Sequence, residues 1–429
     1  MSDVRNFGAK GDGRTDDSDA IRTALKEGDG VLFFPRGTYV ITRPIEIALA
    51  DCGRTSVSGA EGCATLVMKG AGPAVHFHGT HTGTAFPETF KTTVRDAERM
   101  PVVCGIEIVG AHQAAIGIEL EGLWEPTLTR VHVRDCLHGI HIVRRNRNLI
   151  IGCCHVYNNR GIGIYYDRVN LHQSNIYGSH ISYNRGGGIK VLESEIRNLQ
   201  VSSNDIEYNF DTHSEESADV WIDTGTSSVR EGTIVGNTIQ AMPSRGGANV
   251  RFHGHGDTVR NKTGNWTISG NLISSQAVNI HLLYARGIVV TGNCFFSAAE
   301  RTLRIEHSEN IVVGANVIDR NPDYRVESGD GIEFVHAAGC SVTGMLMTGT
   351  RVTGPDAAAI SVRQSQSITI TGCTILDPEP CGILLKDSSH CLVSGCNIMD
   401  RCEPKRMQAA LCVDGGAGNL CTGNLVEPA

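Results

Sequence analysis

The stretches "ISGNLISS" (residues 268–275) and "VTGNCFFS" (290–297) are one phrase written twice, 22 residues apart. Each ends an alternating apolar segment, turns at Gly-Asn, and starts a second short apolar pair. The phrase returns as "VSSNDIEYN" (201–209), "IVGNTIQ" (234–240), "ITGCTILD" (370–377), "VSGCNIMD" (393–400) and "CTGNLVEP" (421–428). Its corner residue falls at Arg130, Cys153, Gly178, Ser203, Gly236, Gly270, Gly292, Gly314, Gly344, Gly372, Gly395 and Gly423. Most of these corners are 22–25 residues apart, three intervals are 28–30, and two consecutive ones are 33 and 34. That period leaves no room for a helix between strands, and Gly or Asn marks each corner. The pattern predicts an all-β fold, a parallel β-solenoid whose buried corner asparagines form ladders from turn to turn.

Composition agrees with one repetitive body over residues 1–429, regular from about residue 100. Of 429 residues 50 are glycine, and no linker, charge block or low-complexity run divides the chain. The net charge of −8 is dispersed, which argues against a nucleic-acid footprint. No run of 18 apolar residues is present, so no membrane-spanning helix is expected. The fifteen cysteines are odd in number and lie largely in apolar strand patterns. Their spacing does not pair ligands for zinc, and no metal site is assigned. Free buried thiols favour folding in a reducing compartment. With no basic-then-apolar leader at the start, a cytoplasmic location is expected, though a secreted form with its leader removed would read the same way.

The opening is different in kind. "NFGAKGDGRTDDSDAI" (6–21) is a Gly/Asp loop running into a short amphipathic helix over residues 16–27, and "VLFFPRGTYVI" (31–41) supplies the first strands. A solenoid has an exposed strand edge at its end, and residues 1–50 are read as the cap over it. These two stretches resemble the start of the pectate-lyase-like right-handed β-helix superfamily, as found in polygalacturonase-related proteins and phage tailspikes. The resemblance implies a right-handed helix, action on carbohydrate and a homotrimer. It leaves the reaction open, because hydrolases, lyases, epimerases and fructotransferases share the scaffold.

Equal phase in successive turns stacks residues into stripes. In the strand 11–20 residues before each corner, the outward residues are His141, Tyr165, Lys190, Trp221, Arg251, His281, Arg304 and Glu333. Two residues on come Asp167, Leu192, Asp223, His253, Leu283 and Glu306. The two longest turns are consecutive and flank this stripe. They insert an acidic loop with Asp211, Glu215 and Glu216, and a basic Gly-rich one around Arg245, Arg251, His253 and His255. Long loops over one face are expected to wall a cleft.

Paired carboxylates serve glycoside chemistry as acid and base. The acid/base candidates are Asp167, Glu207, Asp211, Glu216 and Asp223. Lys190, Trp221, Arg251, His253, His281 and Arg304 are read as holding the sugar, with Trp221 an outward stacking platform. The expected function is a carbohydrate-active enzyme that cleaves or rearranges glycosidic bonds of a poly- or oligosaccharide, by hydrolysis or by glycosyl or fructosyl transfer. The runner-up is a polysaccharide lyase acting by β-elimination on a uronate polymer, with Lys190 or Arg251 moving protons. No cofactor is expected, except calcium on Glu193, Glu195 or Asp223 if the lyase reading holds. A non-catalytic sugar-binding tailspike or fibre is the third reading.

Overall fold

The computed structural model describes residues 1–84, 86–324 and 328–426. It is a parallel β-solenoid of about 16 turns with few helices, as the repeat predicts. The chain divides into two compact units, residues 1–209 and 210–429.

In the first unit each regular turn contributes to three strand stacks, here the first, second and third faces. The turn from residue 140 illustrates it. One long strand, Ile140–Gly152, serves the first two faces, bending at Arg144 (φ 58°), and His155–Tyr157 serves the third. Ile140–Gly152 pairs in parallel with Ile162–Tyr177, setting His141 beside Tyr165 on the first face and Arg147 beside His172 on the second. Inward residues such as Ile140, Ile142 and Ile151 are fully buried. The cap sits where the opening sequence placed it. Helix Ser18–Glu27 buries Ile21 and Ala24 and packs against strands Val31–Phe33 and Ile45–Ala48. Asp17 accepts hydrogen bonds from the Lys10 and Gly11 amides, tying the Gly/Asp loop to the helix start. Gly11 (φ 60°) is required there, because a Cβ would lie 2.9 Å from the Tyr39 ring.

The second unit repeats the three-face plan. Its corner glycines Gly236, Gly270, Gly292, Gly344, Gly372, Gly395 and Gly423 all have φ of 62–67°, a left-handed conformation that costs glycine least. Gly314 is the exception. Its φ is not left-handed, and a Cβ there would meet Thr291 Oγ1 at 2.6 Å. The residue after the corner, or in the Gly314 turn the second one after it, forms the expected ladder: the Nδ2 of Asn237 donates to Asn271 (3.0 Å), Asn271 to Asn293 (2.9 Å) and Asn293 to Asn316 (2.9 Å). Further along, Met345, Cys373 and Cys396 fill the same buried position, before the Cys396 amide meets Asn424. The first unit has its own ladder, Asn159–Asn184–Asn209. All fifteen cysteines are free; seven are buried, while Cys52, Cys63, Cys153 and Cys294 are exposed.

Candidate functional site

The outer stripe of the first face holds in register. His141 stands beside Tyr165 and Tyr165 beside Lys190 in the first unit. Trp221, Arg251, His281, Arg304 and Glu333 follow one another in the second. The chemistry differs between the two.

In the first unit the stripe extends upstream of where the repeat was read. Glu46, His76 and Glu119 occupy the same line, in "IEIA", "VHFH" and "IELE". The result is an alternating chain of carboxylates and imidazoles. Glu46 lies 2.6 Å from His76 Nδ1, and His76 Nε2 is 3.5 Å from Glu119. Glu119 lies 2.7 Å from His141 Nδ1, and His141 Nε2 is 3.3 Å from Asp167. Tyr165 stacks on His141 with ring centroids 5.3 Å apart, and His138 closes the group at 5.0 Å from Tyr165. Asp167 is also paired to Arg168 Nη1 at 2.7 Å.

This packing drives the two histidines in opposite directions. Burial opposes charge on His141, but the Glu119 hydrogen bond, then the charges of Glu119 and Asp167, outweigh it and raise its pKa. Burial, then the neighbouring His141, pushes His138 down to about 4. The Ile162 amide donates to His138 Nδ1, so the neutral ring carries its proton on Nε2. Burial, followed by Asp167, raises the Tyr165 phenol and keeps it protonated. Two ionisable neighbours displaced apart are the mark of divided acid and base roles. The sequence reading included Asp167 and Lys190 but missed Glu46, His76, Glu119 and His138. Carrying the phase of the stripe back through the irregular turns would have found the first three.

In the second unit the candidates are brought together, but into a closed network. The two insertions meet: Arg245 pairs with Glu215 at 2.8 Å, and Arg251 with Glu216 at 2.8 Å. Arg251 lies over the Trp221 ring at 5.4 Å, and Ala218 and Ala248 pack against that ring. Trp221 is therefore only 7% exposed, which corrects its reading as an open platform. The loops that were expected to wall a cleft cover the tryptophan instead. His281 bonds Glu306 at 2.7 Å, and Arg304 approaches Glu333 at 3.4 Å. Asp223 lies beside His253 and accepts from the Gly225 amide; Asp211 is spent on a local turn, accepting from the His213 amide.

Glu207 stands apart from the stripe. Its strand Asp205–Glu207 belongs to the third face of the first unit, where burial, then Asp205, raises its pKa. The proposed calcium ligands are not convergent within the first unit. Glu193 pairs with Arg168 at 3.3 Å, whereas Glu195 accepts from Asn170 on the second face.

Fold and site geometry define the class first: a right-handed parallel β-helix with ionisable stripes on its outer faces. Residues 1–72 match the family described as rhamnogalacturonase A/epimerase, pectate lyase-like, and residues 104–239 and 358–427 match the right-handed β-helix region. The chain belongs to the pectate-lyase-like right-handed β-helix superfamily. Alginate lyase 7 of Azotobacter vinelandii is 49% identical over 43 residues, 9% of this chain and 5% of that protein. Glucan 1,3-beta-glucosidase of Cochliobolus carbonum is 41% identical over 56 residues, 10% of this chain and 7% of that protein. The chain thus spans less than a tenth of the length of these relatives. Tailspike protein 3 of bacteriophage CBA120 superposes with a TM-score of 0.53 at 12% identity, over 100% of this chain and 62% of that one, a likeness of fold.

Proposed function

We propose that this chain breaks glycosidic bonds in an acidic polysaccharide by β-elimination, at the His141–Tyr165–Asp167 group. The observation that carries the reading is His141, held between the Glu119 and Asp167 carboxylates, which favour its charged form, under the Tyr165 ring. An imidazolium there neutralises the carboxylate of a bound uronate and so acidifies the adjacent C5–H. Asp167 takes the C5 proton, a double bond forms between C4 and C5, and the C4–O4 bond breaks. Tyr165 gives its proton to the departing O4. Asp167 and Tyr165 lie two residues apart on one strand, and the Asp167 charge acts on the phenol, so the proton passes from one to the other and restores both. Lys190, in register with Tyr165 on the next turn, is placed to hold a neighbouring sugar. The name of the alginate lyase that this chain matches over 43 residues is in keeping with a uronate substrate.

Hydrolysis by a carboxyl pair is the second reading, favoured by one observation: Glu207 shares a strand with Asp205, and burial, then Asp205, raises its pKa, as for a general acid beside a carboxylate. Turnover of a panel of uronate and neutral polysaccharides separates the two, because only elimination leaves an ultraviolet-absorbing unsaturated uronate. On the elimination reading Tyr165→Phe lowers turnover by about 10²–10⁴-fold. Saturated products, lost on Glu207→Gln and retained in Tyr165→Phe, would transfer the chemistry to the third face. We further propose a homotrimer, as in tailspike-type relatives of the superfamily; a monomer mass by light scattering at micromolar protein overturns it.

A further inference from the structure

The first unit carries a second built groove, on its second face and away from the His141 group. Residues 79–101 form an insertion between the first-face strand Gly72–His78 and the second-face strand Val102–Cys104. The insertion is fastened down. Glu98, 4% exposed, accepts from the amide and hydroxyl of Thr80, and Arg147 donates to the Thr84 carbonyl. Its Phe90 ring lies 4.6 Å from Trp124 and stacks on His81 at 5.0 Å, and the Arg147 guanidinium covers it at 4.4 Å. Phe90, Trp124, Arg95, Arg147 and Asn148 line a cavity of about 380 Å³. Asn148 is shared with an adjoining cavity of about 420 Å³, floored by the amides of Gln173 and Asn175. Both volumes lie in the range of ligand pockets.

Three buried polar atoms around this groove have no hydrogen-bond partner in the protein: Trp124 Nε1, Arg147 Nε and Asn148 Oδ1. Such atoms occur elsewhere in the chain, but these three converge on one cavity with an aromatic wall, where a polar ligand would satisfy them. Arg145 and Arg147 put positive charge beside the groove, Arg95 is paired with Asp96 at 2.9 Å, and Glu125 lines the far side of the adjoining cavity. His81, 2% exposed, is pushed down to about 4 by burial and then by Arg145 and Arg147. Aromatic faces, amides and guanidinium groups together match one chemistry.

We propose that this groove is a binding site for an acidic saccharide: the rings of Phe90 and Trp124 take the apolar sugar faces, Arg147 and Arg95 the carboxylate or sulfate, and Asn148, Gln173 and Asn175 the hydroxyls. The inference rests on the ligand being a glycan and not on which bond is broken. Its test is binding to the full chain carrying Tyr165→Phe, followed by tryptophan fluorescence and calorimetry. The probes are hexagalacturonate, hexamannuronate and a chondroitin sulfate disaccharide, with cellohexaose as the neutral control. At least one acidic probe binds, and cellohexaose does not. Arg147→Gln and Phe90→Ala each weaken that binding by about 10-fold or more. Asn148→Asp, which keeps a residue type tolerant of the φ of 57° found there, weakens it by repulsion at an unchanged melting temperature. Equal binding of cellohexaose, no binding by any acidic probe, or affinities untouched by all three variants overturns the proposal. Each of these results leaves the first-face chemistry standing, because that is read from turnover by the unsubstituted protein.

Discussion

Glu119→Gln tests the proton-transfer site at its positioning carboxylate. The substitution keeps the shape of the side chain and removes the charge that holds His141 protonated. The Glu119 and His141 side chains are 18% and 13% exposed, so solvent screens the pair only partly. The hydrogen bond is 2.7 Å, and a bond of that kind to a charged group contributes about 1.5–3 kcal/mol. At about 1.4 kcal/mol per pH unit, the His141 pKa falls by about 1–2 units. Elimination needs the imidazolium, so activity is present below the His141 pKa and is lost as pH rises through it. The alkaline limb of kcat/KM therefore moves down by about 1–2 pH units. Above that limb the variant loses about 10–100-fold, while well below it the loss is small. The same shift appears in the NMR titration of the His141 ring, a readout independent of turnover. Glu121→Gln is the control, because Glu121 pairs with Arg144 and not with His141. An alkaline limb and a His141 titration both unmoved in Glu119→Gln refute the reasoning.

Trp221→Ala, at a buried ring packed by Ala218, Ala248 and Arg251, destabilises the second unit by about 3 kcal/mol; a chemical denaturation midpoint that does not move would show the ring to be dispensable. Asn271→Ala removes four hydrogen bonds and leaves the buried Asn237 amide unpartnered, a cost of about 2–5 kcal/mol, seen also as faster exchange of that amide. His81 and His138 have folded pKa values of about 4, below the unfolded value of about 6.5. Their contribution to stability is thus present above about pH 6.5 and is lost as pH falls toward about 4. Urea midpoints followed over that window should fall, and His138→Gln should flatten the slope.

The fold was legible because its cause is local and repeated. A left-handed corner favours Gly, a buried corner amide favours Asn, and both recur at a fixed period, so Gly270-Asn271 and Gly292-Asn293 disclose the turn they make. The stripe was legible for the same reason, since alternation within a strand decides which residues face outward. That is why His141, Tyr165 and Asp167 all stand among its outward residues, although only Asp167 is read as an acid/base candidate. The earlier turns hide the rest of the chain of charges. The insertion at 79–101 breaks the period between His78 and Val102, so Glu46, His76 and Glu119 carry no repeat to place them.

What a loop does once placed is a different question, and periodicity has no bearing on it. The two long turns of the second unit were found from their length, yet their effect depends on charge. Glu215 and Glu216 on one meet Arg245 and Arg251 on the other, and the pairing draws Arg251 down over Trp221. Opposite charges on adjacent insertions close a face. Residues 79–101 act in the opposite sense. That insertion is held at its base by Glu98 and Thr80 and presents Phe90 and Arg95 outward, beside orphaned polar atoms. Backbone amides of Gly79, His81 and Met100 fasten its two ends to Glu121, Gly122 and Trp124, and Arg147 reaches across to the Thr84 carbonyl. Insertions whose opposite charges draw them together over a face close it, and one that stands over a cavity with an aromatic wall has the makings of a binding site. On that basis the upstream turn that carries residues 79–101, 43 residues from Val75 to its partner Ile118, and not the two long turns of the second unit, marks where this chain meets its saccharide.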